Sequence, residues 1–283
     1  MLRVAVDNIE LEYEVRGAGE PVVLIHAGGC GDWFRGLLAE RTLADRYQLI
    51  RYHRVGYAGS DHIAGAVSVR AQAAHCRGLM RRLGVTRAHI VGHSSGGNIA
   101  LQVALDHPEH VRSLALLEPA LLAVPSGPFA GHAMERYGAG DRSTAVDIWM
   151  AGVGGADYRA AMERALPGAL DHAVADADTF FGQELPAVRE WSFGRDDAQR
   201  IEHPVLCVLG GRSDDVSPVF NQRHELLLDW LSNVEAFVLP GATHLMHVQN
   251  PGAMAERLAS FFAQHPLVPP PDPRFSDGSV RTA

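Results

Sequence analysis

The chain has 283 residues, enough for one large α/β domain with room for an inserted subdomain. Hydrophobic residues make up 47% and charged residues 20%, which suits a globular protein and excludes a disordered one. The formal charge is −8 and every basic residue is arginine. That balance argues against a nucleic-acid partner, which needs a clustered positive face, and the missing lysine amine removes Schiff-base chemistry.

In chain order, the N-terminal MLRVAVDNIELEYEV alternates like a strand and lacks the organisation of a signal peptide. Residues 9–15, 21–26 and 48–53 read as strands, and 66–84 as a helix ending on glycine. AHIVG (88–92) is a short strand, 98–108 a helix stopped by proline, and VRSLALL (111–117) another strand. After a gap come a strand at 204–210, a helix at 220–231, a strand at 235–240 and a helix at 251–264. Short apolar strands alternating with helices predict a mostly parallel sheet covered on both faces.

The interval 120–201 breaks this rhythm, with helical fragments and no convincing strand. Leu170, Ala173, Val174, Ala177 and Phe181 form one stripe at helical spacing, the ordinary signature of core packing. The segment is a candidate helical lid, and Trp149, Phe180, Phe181 and Trp191 are candidates for the roof of a substrate pocket. The expected organisation is a core of 1–119 with 202–266, a lid of 120–201, and a proline-rich, disordered tail at 267–283. Cys30, Cys76 and Cys207 are odd in number and far apart, as free thiols of a reducing, cytoplasmic compartment would be. The most apolar run, SLALLEPALLAV, carries Glu118 and is too short for a membrane span.

Gly92-His93-Ser94-Ser95-Gly96 follows a strand and opens a helix, the context that a G-x-S-x-G nucleophile turn demands. So tight a turn needs tiny residues two before and two after the nucleophile. Ser94 has them in Gly92 and Gly96, whereas Ser95 would have the bulky His93 on one side. Ser94 is therefore the candidate nucleophile.

With GHSSG, VVLIHAGG, GYAGS (56–60) and GATH (241–244), the sequence resembles the α/β-hydrolase fold family over about residues 9–265. The resemblance implies a lid inserted after the sixth strand. It also implies His244 as general base, in preference to His247, and an oxyanion hole of the Gly28 and Ser95 backbone N–H groups. Ala27 stands where the family pattern usually has glycine, and His53 where relatives often have aspartate.

Two places exist for the acid. Family members commonly carry it in G-x-x-D after the strand that leaves the lid, but counting from Gly210 lands on Ser213, and Asp214 comes one residue late. The other place is Glu118, 24 residues after Ser94, at the end of the preceding strand. Certain haloalkane dehalogenases and zearalenone-type lactonases use an acid at that spacing. An apolar LALL before Glu118 suggests a buried, partnered carboxylate, so Glu118 is preferred and Asp214 is the alternative.

The resemblance thus implies a serine hydrolase of a small ester or lactone, with no cofactor and no metal. Carbon–carbon bond hydrolases, cofactor-free perhydrolases and a ligand receptor with a slow triad share the same residues and stay open. Without a basic cluster in the lid, the substrate reads as neutral and apolar. Neither nucleic acid nor membrane is an expected partner, and a homodimer is compatible with the sequence.

Overall fold

The computed structural model describes residues 1–267. Eight strands form one sheet in the order β1-β2-β4-β3-β5-β6-β7-β8. They are β1 (Leu2–Val6), β2 (Ile9–Arg16), β3 (Glu20–Ile25), β4 (Tyr47–Tyr52), β5 (Ala88–His93), β6 (Val111–Leu117), β7 (Val205–Gly210) and β8 (Val234–Leu239). β1, β2 and β4 pair antiparallel, and every pairing from β4 through β3 to β8 is parallel.

The alternation of side chains across the pleat builds two cores. Val23, Ile25, Ile90, Leu114, Leu116, Val205 and Cys207 face one side. There they meet α2 (Val69–Arg82) and α3 (Ser95–Asp106), through residues such as Leu79 and Ile99. Val22, Leu24, Val91, Ala115, Leu117, Leu206 and Val208 face the other side. They meet α11 (Pro251–Gln264) through Leu258, Phe261 and Phe262, beside the short α1 (Arg41–Ala44). Burial on both faces explains why these strands read as continuous apolar runs. Each fully buried Val, Leu, Ile or Phe contributes about 1.5–3 kcal/mol of transfer free energy.

Two helix starts differ by three residues from the sequence reading. α2 starts at Val69 because the Ser68 hydroxyl accepts from the Ala71 N–H and takes the N-cap position. α3 starts at Ser95, directly on the glycine-rich turn.

The segment between β6 and β7 is helical, as expected for a lid. It comprises α4 (Pro128–Gly138), α5 (Arg142–Gly154), α6 (Tyr158–Ala165), α7 (Ala169–Ala175), a π-helical turn (Asp178–Glu184), α8 (Leu185–Glu190) and α9 (Arg195–Gln199). It has its own apolar cluster, in which Leu170, Ala173, Ala177 and Phe181 pack with Val146 and Met162. α10 (Val219–Trp230) follows β7. Apart from Leu267, whose N–H donates to Glu20, the expected disordered tail lies outside the described residues. Among the described residues no helix is long and apolar enough to cross a membrane.

Candidate active site

The site grows from the carboxyl ends of the parallel strands, where ligand crevices form in open α/β sheets. Ala27 and Gly28 follow β3, Ser94 follows β5, Glu118 follows β6, Ser213 follows β7 and His244 follows β8. Ser94, Ser95, Gly28 and His244 line one cavity of about 370 Å³ beneath the lid.

Ser94 has φ 52° and ψ −121°, a conformation that L residues rarely adopt. The turn is held by Ser94 N–H donating to the Leu117 carbonyl at 2.9 Å and by Gly97 N–H donating to the Ser94 carbonyl at 2.8 Å. A Cβ at Gly92 would lie 2.4 Å from the Gly96 carbonyl oxygen, and one at Gly96 would lie 2.2 Å from that of Ile25. Both contacts are impossible, so the two glycines are a steric requirement of the bend. Ser95 is the first residue of α3, where the amide N–H has no partner within the helix.

Glu118 is the carboxylate that meets the histidine. Its Oε2 lies 2.5 Å from His244 Nδ1, and its Oε1 accepts from Gly210 N–H at 2.7 Å and from the Ser213 hydroxyl at 2.5 Å. The residue is 4% exposed and sits at φ 44°, a second strained position directly after a strand. Donation of Nδ1–H to Glu118 leaves the His244 Nε2 lone pair free to take a proton. The imidazole also stacks on Phe220, centroids 4.5 Å apart. Asp214 does not join this group. It lies exposed in the 3₁₀ turn Ser213–Asp215. Ser213, where counting three from Gly210 lands, instead donates its hydroxyl to Glu118.

The Gly28 N–H is oriented through its own peptide plane. His26 Nε2 accepts from Arg54 N–H at 3.0 Å, so its Nδ1–H donates to the Ala27 carbonyl at 2.6 Å. A trans peptide then turns the Gly28 N–H the opposite way. Trp33 Nε1–H donates to the Gly28 carbonyl at 3.0 Å, and Gly29 N–H donates to the Tyr57 hydroxyl at 3.2 Å. Ala27 is not among the residues with positive φ, which is why it can replace glycine there. A Cβ on Gly28 would fall 2.4 Å from Phe180.

Of the four aromatic residues expected in the pocket, Trp149 and Phe180 line the cavity, 4.8 Å apart and edge to face. Phe181 and Trp191 do not line it, which corrects the sequence reading. Phe181 is fully buried within the lid and stacks on Tyr137, as its place on the helical stripe implied. The Trp191 indole N–H donates to Gln102 and its ring stacks on Phe193, so it tethers the lid's exit to α3.

Several further residues near the site were given no catalytic or binding role by the sequence reading. His93 is buried and donates from Nε2 to the His244 carbonyl at 2.9 Å, and burial holds its pKa well below the usual histidine value. Glu184, from the π-helical turn, lines the cavity and pairs with the fully buried Arg54 at 2.8 Å while accepting from the Tyr57 hydroxyl. The His53 Nδ1 meets Glu12 at 2.7 Å, with Asp32 at 3.4 Å from Nε2, so a histidine bridges two carboxylates where relatives often have aspartate.

A family model for the alpha/beta hydrolase fold matches residues 21–145. A putative carbamate hydrolase of Azorhizobium caulinodans is 37% identical over 112 residues, covering 39% of this chain and 41% of that protein. Matches to the first curated relatives span between 30% and 41% of their length. The 2-hydroxymuconate semialdehyde hydrolase of Pseudomonas sp. CF600 is 27% identical over 269 residues, 88% of each chain. Among solved structures, Est816, an N-acyl homoserine lactone degrading enzyme, superposes with a TM-score of 0.75 at 25% identity over 92% of this chain and all of that one. Sheet order, strained serine turn and helical insertion after β6 agree with these likenesses, and the chain belongs to the α/β-hydrolase fold superfamily.

Proposed function

We propose that the chain is a serine hydrolase that cleaves a carboxylic ester or lactone through an acyl-enzyme on Ser94. The observation that carries this reading is the contact of 2.5 Å between Glu118 and His244 Nδ1, with His244 and the strained Ser94 on one cavity wall. His244 Nε2 takes the Ser94 proton as Oγ attacks the ester carbon, and the carbonyl electrons move onto oxygen. The backbone N–H groups of Gly28 and Ser95 receive that oxyanion, each worth about 2.7–4 kcal/mol to the transition state. Collapse breaks the carbon–oxygen bond, and His244 returns the proton to the leaving alkoxide. Water, deprotonated by the same imidazole, then attacks the acyl-enzyme; the Ser94 oxygen leaves and regains its proton. Glu118 fixes the imidazole tautomer and steadies the imidazolium without accepting a proton. Residues 120–201 act as the lid over this chemistry, with Trp149 and Phe180 in its roof.

The likeness to Est816 supports an ester or lactone substrate. A second reading, hydrolysis of a carbon–carbon bond, draws on the likeness to the semialdehyde hydrolase over most of both chains. Turnover of 4-nitrophenyl esters, with acyl transfer to Ser94 detected by mass spectrometry and both lost in Ser94→Ala, tests the first reading. Failure to hydrolyse any ester, combined with consumption of 2-hydroxymuconate semialdehyde, would replace it with the second.

A further inference from the structure

The lid, judged alone, suggested a neutral substrate, but the core brings a cation into the cavity. Arg223 on α10 lines it beside Ser126 and Ser217 and is 6% exposed. Its Nε donates to the Val124 carbonyl at 3.1 Å. One terminal nitrogen, Nη2, donates to the same carbonyl at 2.7 Å and to the Ser126 hydroxyl at 3.2 Å. None of these acceptors is charged. The other, Nη1, has no hydrogen-bond partner among the described residues, yet it is not among the fully buried polar atoms.

The carboxylates of the cavity region are already engaged. Both Glu118 oxygens are bonded, to Gly210, Ser213 and His244, so Glu118 acts on Arg223 only through space. Glu184 is held by Arg54 and Tyr57. Burial draws the Arg223 guanidinium down to about 10, which still leaves it charged at neutral pH. A buried charge bonded only to neutral groups is costly unless an anion completes it. A second arginine, the exposed Arg189 on α8, lines the same cavity.

We propose that Arg223 is an anion subsite, and that the substrate is an ester or lactone carrying a free carboxylate that the Nη1 edge of the guanidinium binds. The apolar wall of Phe129, Trp149, Phe180 and Phe220 holds the carbon skeleton between that carboxylate and the scissile bond. The proposal rests on the serine-hydrolase reading for the bond that reacts, but not for the ion contact.

Calorimetry on the Ser94→Ala protein separates the two. Monomethyl adipate and dimethyl adipate have the same chain and differ in one charge. The monoanion should bind at least about tenfold more tightly, as a charge-assisted hydrogen bond implies, and added salt should weaken it selectively. Arg223→Gln should bring the ratio to about one. Arg223→Lys should keep part of it, because the charge remains while the forked geometry is lost. Equal binding of the two ligands to the Arg223 protein overturns the proposal, and so does equal weakening of both by Arg223→Gln, which would make the arginine only a latch for residues 124–126. If Arg223→Gln does not fold, the ratio in the Arg223 protein and its partial fall in Arg223→Lys decide. Ester turnover surviving Ser94→Ala would refute the nucleophile assignment instead, while the binding ratio still tests Arg223.

Discussion

Ser213 explains why the acid was the hardest residue to place. This chain has a hydroxyl after β7 and a carboxylate after β6, joined by a contact of 2.5 Å, and it is the carboxylate that reaches the imidazole. Glu118→Gln keeps the size of the side chain but presents either an amide N–H to Nδ1–H or a weaker acceptor. Ester turnover should fall by about 10⁴-fold, the loss that neutralising the acid causes in a serine-protease triad. Asp214→Asn should leave it unchanged, because Asp214 is exposed and makes no contact with His244. The sharper test is the pair Glu118→Ala with Ser213→Asp, which moves the carboxylate to the other strand end. It should recover a measurable part of the rate lost in Glu118→Ala, followed as kcat on a 4-nitrophenyl ester. No recovery in a folded double variant would mean that the two strand ends are not equivalent supports for His244. The strained turn at Ser94 was legible from the sequence because its steric demand is local and is met by Gly92 and Gly96. The Glu118 partnership was only half legible, since apolar neighbours announce a buried carboxylate without saying what it bonds.

Elements divide in the same way. Strands β3, β5, β6 and β7 were readable because they are largely apolar and buried on both faces, whereas β8, at the sheet edge, is only half-buried and exposes Ala236 and Val238. The lid helices were not separately readable, because α6 and α7 are only 8 and 7 residues long and take their stability from packing around Met162 and Phe181. Least visible was the ion pair that ties lid to core, whose members lie 130 residues apart. Arg54 and Glu184 are 1% and 3% exposed, with Gln72 accepting from the same guanidinium. Removing one member strands the other in a medium that cannot solvate it. Glu184→Leu should therefore destabilise the protein by about 3–5 kcal/mol, read as a lower midpoint in chemical denaturation. The double change Arg54→Met with Glu184→Leu should cost much less, because no buried charge is then left unpaired. A single variant as stable as the parent would show that water reaches Arg54 when Glu184 is absent. Tyr57 sits in the same cluster and accepts from Gly29 N–H, so the anchor at Glu184 and the loop of Gly28 and Gly29 share one side chain.

At the scale of the whole molecule, buried histidines set the response to acid. His26, His93 and His247 are buried on the core side of the site, and His89 is buried within β5. Burial holds the first two well below the usual histidine value and brings His247 to about 3 and His89 to about 4. In the unfolded chain each titrates near its ordinary value of about 6.5. Below that pH the unfolded state binds protons that the folded state refuses, so the stability present above it is lost as pH falls toward the folded values. Each such histidine contributes a slope of up to about 1.4 kcal/mol per pH unit, and four acting together up to about 5.5. A domain with about 5–15 kcal/mol of total stability cannot sustain that for more than a few pH units. Urea midpoints should therefore be level between pH 7 and 8, decline below about pH 6, and collapse before pH 4. Depressed carboxylates such as Asp32, held low by His53 and Arg51, add their own loss only at still lower pH. Replacing His247, whose Nε2–H donates to the Trp33 carbonyl at 3.0 Å, by Gln keeps a donor without a titrating ring. That variant should show a shallower decline between pH 6 and 4, and an unchanged slope would mean that His247 is protonated without unfolding.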